Sequence, residues 1–328
     1  MATTWLDAVV VARTAATANI AVLDLAPAGG GPDFPAYTAG AHIDVLIDVL
    51  LEQGGLLEQG GLTRQYSLCG PPGTGQYRLA VLNDPASRGG SRAMHTLEVG
   101  DRLRISAPRN RFPLTAARRH LLFAGGIGIT PLLAMVGSLD AEGGDYTLHY
   151  CVRSRGDAAF VSELADNPRV AFHFDDEDPG QRLDVDSCLG TPSPDTAVYV
   201  CGPGGFMDHV LGRAEAAGWP PAALHKERFA AGAPAPDAAE PGAFTVRLAS
   251  TGAEYQVPED RSALDVLLEN GIDAPSSCQQ GICGECVVRI LAGEPDHRDD
   301  VLSPGEQADG LFAPCTSRAL SRVLELDM

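Results

Sequence analysis

The chain has 328 residues, is 45 % hydrophobic and 6 % aromatic, and carries a formal charge of −19. It is too long for one ordinary core, which implies two or three domains, and its charge argues against nucleic acid or an anionic membrane surface as partner. No apolar run reaches bilayer length and Met1–Trp5 is not the charged start of an apolar stretch, so neither a membrane span nor a signal peptide is expected and the protein reads as cytoplasmic.

In the first hundred or so residues, short apolar or alternating runs lie between Gly and Pro. Ala41–Ile47, Gln76–Leu82 and Asp101–Ser106 are the clearest. This pattern predicts an all-β domain, a small antiparallel barrel. Within it, Ile43-Asp-Val-Leu46 recurs as Ile47-Asp-Val-Leu50, and Leu51-Glu-Gln-Gly-Gly-Leu56 as Leu57-Glu-Gln-Gly-Gly-Leu62. Both duplicated lengths are even, which keeps a strand's two faces in phase. A lengthened hairpin or surface loop is expected there.

From about Arg119 strands and helices alternate. The strands are His120–Ala124, Tyr146–Val152, Val170–Phe174 and Ala197–Cys201; the helices follow at Pro131–Leu139, Ala158–Ala165 and Gly205–Ala217. Alternation of this kind predicts a parallel sheet with helices on both faces. Residues 230–242 are Pro- and Ala-rich and read as a linker. A third unit follows from Ala243, with 15 acidic and 6 basic residues, a balance of −9. Such a surface steers a basic protein partner or serves solubility, and charge alone does not choose between them.

Four of the eight cysteines crowd near the end as Cys278-x4-Cys283-x2-Cys286 and, after 28 intervening residues, Cys315. Four thiolates at this spacing are what a plant-type [2Fe-2S] cluster needs. Gly281 and Gly284 let the loop wrap closely and aim amide groups at anionic sulfur. A structural zinc site is the alternative, but it usually shows two short Cys pairs, whereas here three ligands share one loop. Cys69, Cys151, Cys188 and Cys201 are scattered singly and read as small buried hydrophobes.

Arg64-Gln65-Tyr66-Ser67 combines a cation for phosphate, an aromatic for a flat ring and a hydroxyl for a ring heteroatom. A buried tyrosine in an ordinary strand is the plainer reading of those four residues alone. Ser87-Arg-Gly89-Gly90-Ser91 opens a helix with exposed amides that suit an anion, or is an ordinary Gly-rich turn. With Arg64 it would hold the terminal phosphate of FMN, which is preferred here over FAD. Ala124-Gly125-Gly126-Ile-Gly128-Ile-Thr130-Pro131 joins strand to helix, where glycines admit a pyrophosphate and the proline suits a first helical turn. It is not G-x-G-x-x-G, so a Rossmann dehydrogenase is not indicated. Val200-Cys201-Gly202-Pro203-Gly-Gly-Phe-Met207 follows a second strand, and His225-Lys-Glu227-Arg-Phe229 closes this region.

The cysteine loop closely resembles plant-type ferredoxins, and the Arg64–Ser67 and two glycine loops resemble the ferredoxin-reductase superfamily. Their order across the chain resembles the phthalate dioxygenase reductase family, including vanillate O-demethylase reductases. The resemblance implies a flavin-binding β-barrel domain over 1–113, an NAD(P)-binding α/β domain over 114–229, a linker over 230–242 and a β-grasp ferredoxin domain over 243–328. It places Cys201 with the Gly202-Pro203 loop at the nicotinamide, and Glu227 and Phe229 near the flavin ring. It implies electron flow from NADH through FMN and [2Fe-2S] to a terminal Rieske-type oxygenase. The duplications just before Arg64 are the main departure. NADPH stays open, because Arg153-Ser-Arg155 would suit a 2′-phosphate, although Asp175-Asp-Glu-Asp178 would repel it. A haem-thiolate monooxygenase as client, or a non-catalytic cluster-based redox sensor, are the alternatives.

Overall fold

The computed structural model describes residues 4–47, 62–85, 87, 89–177, 179–229 and 242–328. The expected hairpin extension over the repeats falls on residues 48–61, and the linker falls mostly on 230–241. Both lie outside the described residues, as do Arg88 and Asp178. The chain divides into two compact units, one ending at Glu227 and the other running from Arg228 to Met328.

The first unit opens with an antiparallel sheet. Its strands are β1 (Trp5–Ala15), β2 (Ile20–Pro27), β3 (Ala41–Ile47), β4 (Leu62–Ser67), β5 (Tyr77–Leu82), β6 (Arg102–Ser106) and β7 (Arg109–Asn110), with helix α1 (Gly90–Thr96) between β5 and β6. The spatial order is β4-β3-β6-β1-β2-β5, and β7 pairs with β3. Period-two burial sends Ala8, Val10, Leu23, Leu25, Ile43, Val45, Leu79 and Ile105 into one core, and Met94 of α1 joins them. β3 and β4 keep register from His42–Ser67 to Ile47–Leu62.

The expected barrel is not a continuous closed ladder. The two ends of the sheet, β4 and β5, are joined among the described residues by an isolated bridge just past the end of β4, from Leu68 to Leu79 of β5. After Ser67 the chain runs Leu68-Cys-Gly-Pro-Pro72. Pro71 and Pro72 have no N–H to extend the pairing, so it ends there.

A five-stranded parallel sheet follows: β8 (Arg119–Gly125), β9 (Asp145–Val152), β10 (Val170–Phe174), β11 (Thr196–Cys201) and β12 (Leu224–Glu227), ordered β10-β9-β8-β11-β12. Its helices are α2 (Ile129–Glu142), α3 (Val161–Leu164), α4 (Val185–Leu189) and α5 (Gly204–Ala216). Leu132, Met135 and Leu139 of α2 cover one face with Leu148 and Tyr150. Met207 and Val210 of α5, with Val185 and Leu189 of α4, cover the other over Leu121, Phe123 and Val198. The helix expected over 158–165 shrinks to four residues, because Phe160 adopts φ 61° and starts it late. Tyr199 Oη accepts from Thr115 N at 2.7 Å and donates to Pro113 O at 3.0 Å, fastening the segment between the two sheets. Among the described residues no helix is long and apolar enough to cross a membrane.

In the second unit β13 (Phe244–Leu248), β14 (Glu254–Val257), β15 (Val288–Ala292), β17 (Leu311–Phe312) and β19 (Val323–Leu326) form a mixed sheet ordered β14-β13-β19-β15-β17. β16 (Pro295–Asp296) and β18 (Arg318–Ala319) make a small separate ladder. Helices α6 (Ala263–Glu269) and α7 (Pro304–Ala308) each begin with a reciprocal cap, Ser262 with Asp265 and Ser303 with Glu306. Ala263 and Leu267 of α6 pack on Phe244, Val246, Phe312 and Leu324.

Candidate functional site

The four cysteines converge as the spacing requires. Cys278, Cys283, Cys286 and Cys315 are all buried. They meet as two hydrogen-bonded pairs, Cys278 with Cys283 and Cys286 with Cys315. Among the described residues no three His, Cys, Asp or Glu side chains close on one metal point. A two-plus-two arrangement suits a dinuclear cluster, in which each iron takes two thiolates, better than a mononuclear zinc site. The donor set fits in a second way. The amides of Gln280 and Ile282 bond Cys278, that of Glu285 bonds Cys283 and that of Gly281 bonds Cys315. The bond from Cys283 holds the Cys278 thiol below the ordinary thiol range against the effect of burial. Gly281 has φ 71°, and a Cβ there would stand 2.5 Å from Thr316 Oγ1, so the loop needs glycine on both counts. Gln279 and Gly284 also take positive φ, 53° and 73°.

In β4 the pleat sends Arg64 and Tyr66 to one face and Gln65 and Ser67 to the other. Arg64 lies against the start of α1, where a Cβ on Gly90 would stand 2.8 Å from Arg64 Cγ. The arginine and the Gly89–Gly90 turn are therefore brought together, so closely that only glycine fits at position 90. Ser91 Oγ accepts from Asp84 N at 3.2 Å and Ser87 Oγ from Gly89 N at 3.2 Å, so both hydroxyls also shape the turn. Burial pushes the half-buried Tyr66 phenol up and keeps it neutral. The Gln65 side chain is engaged within the protein: its Nε2 donates to Asp44 Oδ1 at 3.1 Å and lies 3.5 Å from His42 Nε2. Asp44 is buried and also pairs with Arg109 at 2.5 Å. That polar network, spread over β3, β4 and β7, left no signal in any short motif.

Ser67 Oγ donates to Glu227 Oε2 at 3.0 Å. Burial pushes the Glu227 carboxyl up to about 7, with the serine bond opposing it. Glu227 is the register partner of Cys201 in the parallel sheet, and Cys201 in turn faces Ala124 on β8. The Cys201 side chain has no exposed surface, and burial followed by the Glu227 charge raises its thiol well above the ordinary range. It is a neutral, packed group. Phe229 belongs to the other compact unit and is 37 % exposed.

The two glycine loops meet each other. A Cβ on Gly128 would stand 2.2 Å from Cys201 O, and one on Gly202 2.8 Å from Gly125 Cα. Gly125 is tight against Phe206 and Pro203. Two of the three glycines expected to admit a pyrophosphate, Gly125 and Gly128, are thus required by loop-to-loop packing, as is Gly202, whereas Gly126, at φ 52°, has open space where its Cβ would be. Thr130 Oγ1 donates to Ile127 O at 3.0 Å and Pro131 is buried in the first turn of α2. The loops stand at the carboxyl ends of β8 and β11, between which the strand order reverses, the position where open α/β sheets bind nucleotides.

Comparison with known proteins places these features in one lineage. A family model described as a 2Fe-2S iron-sulfur cluster binding domain matches residues 246–320. The chain is 46 % identical to the vanillate O-demethylase oxidoreductase of Pseudomonas sp. (strain HR199 / DSM 7063), over 98 % of this chain and 100 % of the relative. It superposes on the solved structure of phthalate dioxygenase reductase with a TM-score of 0.75 and 35 % identity, covering 99 % of this chain and 98 % of that one. The chain belongs to the phthalate dioxygenase reductase family. As a member of that family it also matches part of a larger protein, an intact type IV self-sufficient cytochrome P450 monooxygenase, with a TM-score of 0.80 and 38 % identity. The match covers 99 % of this chain but 41 % of the longer one.

Proposed function

We propose that this protein is the NADH-dependent reductase component of an oxygenase system, passing electrons through FMN and a [2Fe-2S] cluster to a terminal Rieske-type non-haem iron oxygenase. The observation that carries the reading is the coexistence, in a phthalate dioxygenase reductase relative, of a paired four-cysteine loop and a Ser67–Glu227 contact beside two nucleotide-type glycine loops. When bound, the flavin supplies the exchange between a two-electron hydride donor and a one-electron carrier. We divide the chain into a barrel-type flavin domain over 1–113, a nucleotide domain over 114–229, a linker over 230–242 and a β-grasp ferredoxin domain over 243–328. A cytoplasmic setting goes with this division.

In this reading Arg64 and the Gly89–Ser91 turn hold the flavin phosphate, and Tyr66 and Ser67 flank its ring, with Gln65 setting their strand through Asp44. The Gly125–Pro131 loop and Gly202-Pro203 receive the nicotinamide nucleotide. Glu227 takes up or releases a proton near neutral pH, and Ser67 Oγ donates to its Oε2. Cys201, neutral and fully packed, acts here by anchoring the Gly202-Pro203 loop rather than as a nucleophile. Phe229 lies two positions after Glu227 and is assigned to the same neighbourhood of the ring.

The test is the visible spectrum of the purified protein before and after NADH is added without air. A flavin band with iron-sulfur shoulders that bleaches on NADH is expected. A colourless protein, or one whose colour NADH does not change, would overturn the reading and return the redox-sensor or zinc alternatives. A second client is favoured by the self-sufficient cytochrome P450 relative, in which a chain like this one forms part of a monooxygenase. Electron delivery to a purified haem-thiolate monooxygenase, compared with a Rieske oxygenase, separates the two.

A further inference from the structure

We propose that Glu177 sets nucleotide choice in this protein: by holding Arg155 in an ion pair it denies the 2′-phosphate of a phosphorylated adenosine ribose its natural cation. The inference rests on the reductase reading and deepens it by naming what separates NADH from NADPH.

In an open α/β sheet the dinucleotide pyrophosphate sits at the first glycine loop. The adenosine ribose then lies over the end of the neighbouring strand, where an acid favours a 2′-hydroxyl and an arginine a 2′-phosphate. Here the first loop follows β8, and the neighbouring strand is β9, which ends at Val152 and runs into Arg153-Ser-Arg155. By sequence that tripeptide is a phosphate site. In the structure two of its three side chains, Ser154 and Arg155, are already engaged. Arg155 Nε meets Glu177 Oε1 at 3.1 Å and its second nitrogen meets Oε2 at 3.3 Å, a two-point match of guanidinium to carboxylate. The guanidinium also lies 4.3 Å from the centre of the Phe174 ring, so its orientation is set from a second side. Ser154, the other phosphate-type group, donates to Asp157 Oδ2 at 2.7 Å.

The acidic turn is itself held against β9. Asp175 N donates to Val152 O at 3.2 Å and Asp176 N to Arg153 O at 3.0 Å, which stitches the exit of β10 to the exit of β9. Glu177 is therefore placed by the sheet and is not a wandering surface charge. A 2′-phosphate approaching Arg155 would have to displace one carboxylate while facing those of Asp157 and Glu177. Both effects act against it and neither acts against a neutral hydroxyl.

The experiment uses the full-length, flavin-loaded protein and two probes, 2′,5′-ADP and 5′-AMP, titrated calorimetrically into wild type, Glu177→Gln, and the double variant Arg155→Ala with Glu177→Gln. The steady-state NADPH-to-NADH ratio of kcat/KM is read in parallel. The ratio of 2′,5′-ADP affinity to 5′-AMP affinity is expected to rise about 10-fold in Glu177→Gln, as release of one close charge pair implies. The double variant is expected to lose that gain, since the arginine and not the added space supplies it. An unchanged ratio in Glu177→Gln, or a gain that survives removal of Arg155, overturns the proposal while leaving the reductase reading intact. Failure of wild type to bind either probe, together with no bleaching by NADH, overturns the reductase reading and the proposal with it.

Discussion

Ser67 Oγ donates a 3.0 Å hydrogen bond to Glu227 Oε2 although the two residues are 160 positions apart in the chain. The bond ties the end of β4 in the antiparallel sheet to the end of β12 in the parallel one, and it brings the carboxylate next to Cys201 as well. Burial raises the Glu227 carboxyl from 4.5 to about 7, and the serine works the other way by stabilising the charged form.

This pair predicts a pH signature. Between pH 4.5 and about 7 the unfolded chain releases the Glu227 proton while the folded chain keeps it, so stability falls as pH rises through that window and levels off above it. Glu227→Gln removes this dependence. Its melting temperature relative to wild type should climb by a few degrees from pH 4.5 to pH 8, measured by calorimetry. The rate of flavin reduction by NADH should show an inflection near 7 that Glu227→Gln lacks and that Ser67→Ala moves to higher pH. An identical pH profile in all three proteins would remove Glu227 from the site.

Arg64 predicts flavin retention. Hydrogen bonds from a cation to phosphate contribute about 1.5–3 kcal/mol, so Arg64→Ala should weaken FMN binding about 10- to 100-fold, read as flavin lost on gel filtration and as a fluorescence titration. Gly90→Val, whose Cβ would press on Arg64 Cγ, should weaken FMN in the same direction with the charge intact. Unchanged FMN affinity in both would place the phosphate elsewhere.

The glycines of the nucleotide loop separate into two kinds. Gly128→Ala forces a Cβ onto the Cys201 carbonyl and should destabilise the protein by about 3 kcal/mol, lowering the denaturant midpoint whether or not nucleotide is present. Gly126→Ala meets no neighbour and carries only the strain of φ 52°, about 1 kcal/mol, so its main effect should fall on NADH binding. Equal stability losses in the two variants would contradict this division.

Cys315→Ser should abolish the iron-sulfur absorption and reduce NADH-driven transfer to a one-electron protein acceptor to background. Direct reduction of a small dye by the flavin should persist, because the Arg64 and glycine-loop sites are built from other residues. Loss of dye reduction as well would show that the cluster loop supports the whole fold.

Much of this was legible in the order of residues. β3 and β10 run over Ala41–Ile47 and Val170–Phe174, the same bounds that apolar patterning suggests, because a strand's period is a local property. The open ladder at Leu68 depends on Pro71 and Pro72 but also on where β5 lies, and the late start of α3 after Phe160 depends on a left-handed backbone no periodicity announces.

Covalent spacing alone determined the cluster loop: Cys278, Cys283 and Cys286 share one turn, and ligand chemistry restricts what such a turn can hold. Two strand-glycine-helix passages likewise announced a nucleotide site. Tertiary structure alone decided that Gly128 and Gly202 serve contact between the two loops, that Gln65 turns to Asp44, that Ser67 meets Glu227 and that Arg155 is held by Glu177. Each of these joins segments that only the packing of sheets brings within bonding distance. A residue's reach along the chain is a few positions, whereas its reach through a fold is set by which strands are neighbours.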